Sequence, residues 1–198
     1  MTDKPDENVE NDYEYSKRTY YDLIEKGQNA LDDNIDGDGN TALGYNSLEA
    51  NVSGGSNTAV GHKSLNSNTA NYNTALGSCA SHATTTGGSN TAIGYQSAKA
   101  LTTGNNNVIL GYQAGDAMTT GDNNTVVGKG AFSASSGDGD ENTVIGALAG
   151  RDVNNANADN NVLIGFAAGL GGTGALKTSI AIGNYSLDAT GANDVTGA

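Results

Sequence analysis

Apolar positions in this chain come in short clusters of two or three, and each cluster ends in glycine. The clearest unit is Asn90-Thr91-Ala92-Ile93-Gly94-Tyr95-Gln96-Ser97. It recurs from Asn40, Asn57, Asn73, Asn107, Asn124, Asn142, Asn161 and Ser179, so the repeat glycines are Gly44, Gly61, Gly77, Gly94, Gly111, Gly128, Gly146, Gly165 and Gly183. Their spacing is 16 to 19 residues, and self-similarity at a fixed period marks a solenoid. Numbering from the Asn, position 2 is Thr, Val or Ile, position 3 is Ala or a larger aliphatic, and position 4 is always Leu, Val or Ile. Three such residues are too few for a helix and read as a very short strand. Glycine at position 5 predicts a corner with positive φ or close backbone approach. Position 8 is Ser or Ala throughout, which predicts a tight inward site.

The linkers are rich in Gly, Asn, Asp, Ser and Thr, as in Thr102-Thr103-Gly104-Asn105-Asn106-Asn107, the residues of turns. One unit therefore predicts one coil of an all-β, parallel β-solenoid, with the Asn side chains stacked as a hydrogen-bonding ladder. Nine coils at ~4.8 Å each make a rod on the order of 43 Å long. Positions 3 and 4 lie on opposite faces of a strand, yet both are apolar, which implies burial on both faces. One face fills the coil. The other, taken as the position-3 row that grows to Ile109, Val126, Val144 and Leu163, is expected to meet a partner chain.

Before the repeats the pattern changes. Residues 1–12 are acidic and polar and read as a disordered arm. Over residues 13–33 the period becomes helical, with Tyr13, Tyr20, Ile24, Gly27 and Leu31 on one stripe, predicting a short amphipathic helix that docks on something larger. The solenoid domain is then expected over 34–198.

Two resemblances follow from these residues. Asn-Thr-Ala-Ile-Gly-x-x-Ser, and Ser179-Ile180-Ala181-Ile182-Gly183-Asn184-Tyr185-Ser186, resemble the head repeat of YadA-like trimeric adhesins over roughly residues 40–187. The tandem units also look like those of tailed-phage fibre proteins. This resemblance implies a left-handed β-roll, a homotrimer and an adhesive surface on a virion, outside the cell. The stretch Asp12-Tyr13-Glu14-Tyr15-Ser16-Lys17-Arg18-Thr19-Tyr20-Tyr21, continuing to Leu31, resembles the N-terminal helix of phage small terminase subunits. It implies a phage origin, attachment to the particle through that helix or, as the alternative function, a DNA-packaging adaptor.

Composition narrows the field. The chain has 198 residues with 29 Gly, no Trp and 36% hydrophobic residues, lean for a compact globular domain but sufficient for thin coils. The net charge is −13, which argues against a groove that tracks phosphates. No apolar run approaches the ~18 residues that span a bilayer. The single cysteine, Cys79, makes no internal disulfide and reads as a surface thiol.

Candidate chemistry is sparse. Asp32-Asp33-Asn34-Ile35-Asp36-Gly37 begins like a calcium loop, but the twelfth position is Leu43 where a bidentate Glu is needed. No metal or cofactor is therefore expected. His62 and His82 do not recur between units, and no nucleophile elbow or carboxylate pair is present, which disfavours a pectinase-like solenoid enzyme. Tyr45, Tyr95 and Tyr112 share position 6 and offer a stacking surface for sugars. The expectation is a non-enzymatic fibre segment. Its linkers, at 49–56, 82–89, 133–141 and 151–160, would present a surface to a host glycan or protein.

Overall fold

A computed structural model describes residues 27–134, 139–153, 158–170 and 176–187. It is a parallel β-solenoid. Nine three-residue strands follow one another: β1 (Thr41–Leu43), β2 (Thr58–Val60), β3 (Thr74–Leu76), β4 (Thr91–Ile93), β5 (Val108–Leu110), β6 (Thr125–Val127), β7 (Thr143–Ile145), β8 (Val162–Ile164) and β9 (Ile180–Ile182). They form one sheet in chain order. Every pairing is parallel and in step, so that Ala42 lies over Ala59 and Ala92 over Ile109.

The strands stop at three residues because position 5 turns the corner. The repeat glycines have φ between 126° and 142°, and a Cβ at Gly44 would stand 2.5 Å from the Gly61 carbonyl oxygen of the next coil. Position 8 packs inward behind the corner, as expected: Ser47, Ser64, Ala80, Ser97, Ala114, Ala131, Ala149 and Ala168 are buried. The serines among them also return a hydrogen bond to the corner, Ser47 Oγ donating to Gly44 O at 2.9 Å and Ser64 Oγ to Gly61 O at 2.9 Å.

The position-1 asparagines are the staples of the wall. Their side chains are buried, and each oxygen accepts the backbone N–H of the next asparagine. Asn107 N donates to Asn90 Oδ1 at 3.0 Å and Asn124 N to Asn107 Oδ1 at 2.9 Å. Among the described residues, all of the nitrogens but that of Asn142 reach a carbonyl at the turn of the next coil, as Asn107 Nδ2 does to Gly121 O at 2.8 Å. From Asn107 to Asn161 the amides also pair directly, at 2.9 to 3.1 Å. The last strand carries Ser179 instead. Its N–H still donates to Asn161 Oδ1 at 3.0 Å, and its Oγ donates to Lys177 O at 3.2 Å. Asn107→Ala strands the N–H of Asn124 and the carbonyl of Gly121 in the interior, at ~1–3 kcal/mol each. It is expected to cost about 3 kcal/mol in chemical unfolding.

The inside and outside of the sheet are the reverse of the sequence expectation. Position 3 does not face a partner: Ala42, Ala59, Ala75, Ala92, Ile109, Val126, Val144, Leu163 and Ala181 all point into the coil and are buried. In three of the later coils a larger residue at position 3 meets a glycine at position 9, while Val126 shares its coil with the buried ring of Phe132. Leu48 and Leu65 fill the early coils opposite Ala42 and Ala59. In the later coils Gly115, Gly150 and Gly169 take that place, and a Cβ on Gly150 or Gly169 would come within 3.0 Å of Leu163. In those three coils volume is exchanged between positions 3 and 9.

The first coil begins earlier than expected. The final residues of the expected 13–33 helix, residues 27–33, are turns. Asn29 and Leu31 have φ of 59° and 55°, which no α-helix accommodates. Gly27-Gln28-Asn29-Ala30-Leu31 repeats positions 5 to 9 of the unit, matching Gly44-Tyr45-Asn46-Ser47-Leu48. Leu31 N donates to Ser47 O at 3.1 Å and Asn46 N to Gln28 O at 3.0 Å. The acidic arm and the rest of the helix, residues 1–26, lie outside the described residues.

Candidate functional site

A solenoid offers function through rows, since each position of the unit becomes a column of side chains ~4.8 Å apart. Three columns stand out on this surface.

The first is position 4. Leu43, Val60, Leu76, Ile93, Leu110, Val127, Ile145, Ile164 and Ile182 form an unbroken aliphatic stripe along the outer face of the sheet. None of them is buried, and Ile182 is 67% exposed. Position 2 flanks it with Thr, except at Val108, Val162 and Ile180.

The second column is position 6, which holds the three predicted tyrosines. Tyr95 and Tyr112 are brought together as a stacked pair, with ring centroids 5.4 Å apart, and Lys129 Nζ stands 6.0 Å from the Tyr112 ring centre. Tyr45 is not part of that pair. It stacks on His62 at 5.5 Å, and Ser78 interrupts the column between His62 and Tyr95. His62 also occupies position 6 of its unit and was not expected as a ring partner. Nor was Phe166, which meets Tyr185 edge to face at 5.3 Å.

The third column runs along the opposite side of the corner: Glu49, Asn66, His82, Lys99 and Asp116. Burial holds the His82 imidazole below its ordinary pKa, with Lys63, Lys99 and His62 adding to the effect. Burial likewise raises the Asp116 carboxyl, partly offset by the backbone N–H groups of Asp116 and Ala117 and by Lys99, and Asp116 Oδ1 is buried without a hydrogen-bond partner. A carboxyl with a raised folded-state pKa favours the fold in its protonated form. That contribution is present in acid and is lost as pH rises through the folded pKa. Asp116→Asn is therefore expected to raise the melting temperature at neutral pH, and the gain should narrow below the ordinary carboxylate range.

Among the described residues, no group of three or more His, Cys, Asp or Glu is placed to hold a metal ion. The calcium-like segment is a turn, with Asn34 Nδ2 donating to Gly37 O at 3.0 Å and Asn34 Oδ1 accepting from Asn51 at 2.8 Å. Cys79 is a half-buried free thiol. No described helix is long and apolar enough to cross a membrane.

Two of the linkers expected to be display loops, 49–56 and 82–89, are laced into the wall. Ala50 N donates to Asn66 O, and Thr85 N to Thr102 O. The other two, 133–141 and 151–160, contain residues outside the described set, at 135–138 and 154–157. The terminase-like stretch lies outside it too, except for residues 27–31, which are turns of the coil.

No protein-family model, curated protein or solved structure matches the chain.

Proposed function

We propose that this chain is a non-enzymatic segment of an adhesive fibre on a phage virion. Three copies would stand side by side, attached to the particle through the N-terminal residues and exposing the coil walls to a host-surface glycan or protein. The observation that carries the reading is the position-4 stripe. A solvated sheet face alternates apolar-in with polar-out, and the coils follow that rule at position 3, apolar and inward, and at the position-2 threonines, but break it at position 4 in all nine units. A straight apolar row on the order of 43 Å long best fits another straight row of the same pitch, and a second and third copy of this chain supply one. The acidic balance of −13 fits a long exposed rod that must stay dispersed.

Light scattering on the full chain tests the assembly directly. A mass of three times 19.9 kDa is expected, and a single-chain mass at micromolar concentration would overturn the reading. The host-recognition part is tested separately, by loss of particle adsorption to cells when purified protein is added as competitor.

A further inference from the structure

The linker wall has one flaw in its regularity. The coil from Asn57 to Tyr72 has 16 residues, while those from Asn40 to Ser56 and from Asn73 to Ser89 have 17. The missing residue is the one represented by Ser53, Thr86 and Thr103 in neighbouring coils, so Thr69 alone spans Asn68 to Ala70. A second gap adjoins the first. Two residues before each repeat asparagine, the column runs Asn71, Gly88, Asn105, and Gly88 contributes no side chain. The two gaps merge into a concavity of about 550 Å³, lined among others by Thr69, Tyr72, Thr86, Ser89, Asn105 and Asp122.

Tyr72 is the one aromatic residue at its turn position among the described units. It occupies the left-handed position immediately before the repeat asparagine, with φ 63°. Elsewhere that position holds Gly39, Ser56, Ser89, Asn106, Asn123, Glu141, Asn160 and Thr178. A bulky side chain there is strained, and the ring is 67% exposed, so packing returns little. The polar walls are held rigid. Gly88 N donates to Asn105 Oδ1 at 2.9 Å, Asn105 N to Asp122 Oδ1 at 2.6 Å and Gly55 N to Asn71 Oδ1 at 2.6 Å. The hydroxyl-bearing Thr86 and Ser89 stand exposed between them.

We propose that this notch binds a neutral mono- or disaccharide. The sugar's C–H face would lie on Tyr72, and its hydroxyls would pair with Thr86, Ser89 and the Asp122 carboxylate. The chemistry selects the class. An anion would meet Asp122 in a chain of charge −13, and a purely apolar ligand would leave pre-fixed amides and hydroxyls unpaired. A volume of 550 Å³ suits a small ligand, and fixed polar groups lower the cost of ordering on binding. The inference rests on the host-recognition reading above and gives it a place and a ligand class.

The test is an NMR titration of the full chain with glucose, galactose, mannose, N-acetylglucosamine, lactose and maltose. At least one sugar is expected to shift the amides of residues 69–72, 86–89 and 105–106. Tyr72→Asn installs the residue that the same turn uses at 106, 123 and 160, so it removes the ring while relaxing the backbone. It should weaken binding at least tenfold and leave the melting temperature equal or higher. Ser89→Asn, which narrows the notch with another residue native to that turn, should weaken binding as well. Silence towards all six sugars overturns the notch, while a three-chain mass would leave the fibre reading standing. Binding that survives Tyr72→Asn but is lost in Tyr95→Ala also overturns it, placing recognition on the position-6 column instead.

Discussion

Replacing Gly111 with alanine is expected to destabilise the solenoid by about 3 kcal/mol or more, whereas the same change at Gly183 costs distinctly less. Both glycines turn the same corner, with φ of 140° and 126°, a region where an L side chain costs ~1–3 kcal/mol. They differ in what lies beyond. A Cβ at Gly111 would stand 2.4 Å from the carbonyl oxygen of Gly128, and a Cβ at Gly183 meets nothing within 4 Å among the described residues. That oxygen belongs to backbone and cannot swing away, so two coils must separate locally. The ~1–3 kcal/mol of overpacking is then added to the conformational strain. Urea unfolding of the two variants, with hydrogen exchange to locate the opened coils, measures the difference. Equal losses would mean that glycine is needed only for its φ, and that the coil-to-coil approach carries none of the requirement.

The same comparison explains how much of the fold the sequence disclosed. The corner, the strand and the inward Ser/Ala are each dictated by backbone or volume at a single position, so periodicity alone exposes them. The buried asparagines are legible for a related reason. In a stack, each amide faces its own copy, and an Asn kept at one phase over eight coils has few other uses. Which face of the strand is inside was not legible from positions 3 and 4, because both are aliphatic. The deciding information lay across the coil. Ile109 needs Gly115 opposite it, whereas Ala42 is matched by Leu48, a compensation visible only when positions 3 and 9 are read together. Gly27 and Leu31 misled differently. Their spacing suits a helical stripe equally well, and only the flanking Asn29-Ala30 pair identifies them as positions 5 to 9 of a coil. Tyr45, Tyr95 and Tyr112 were legible as one column. Their grouping was not, because it depends on His62 and Ser78 between them. The notch at Tyr72 follows from one absent residue, which registers in the sequence only as a period of 16 instead of 17.

The assignment of inside and outside makes the second large prediction a paired one. Ile109 and Leu110 are adjacent in β5, one buried in the coil and the other on the outer stripe. Ile109→Ala removes packed volume from a closed interior and is expected to cost ~2–5 kcal/mol, with the mass in solution unchanged. Leu110→Asp leaves the coil interior untouched but, in a side-by-side trimer, brings three carboxylates together on an apolar seam. Burying such a charge without a partner is costly, so the expected result is a fall from three chains to one at micromolar concentration. The β-sheet circular dichroism at 25 °C should persist. Melting temperature is a poor readout for this second variant, because loss of assembly lowers it by mass action even where each chain is intact. Mass and spectrum separate the two effects. If Ile109→Ala dissociates the assembly while Leu110→Asp leaves it whole, position 3 is the outer row after all. If neither changes the mass of a three-chain particle, the copies meet through another column, and the stripe must be covered by something other than this chain.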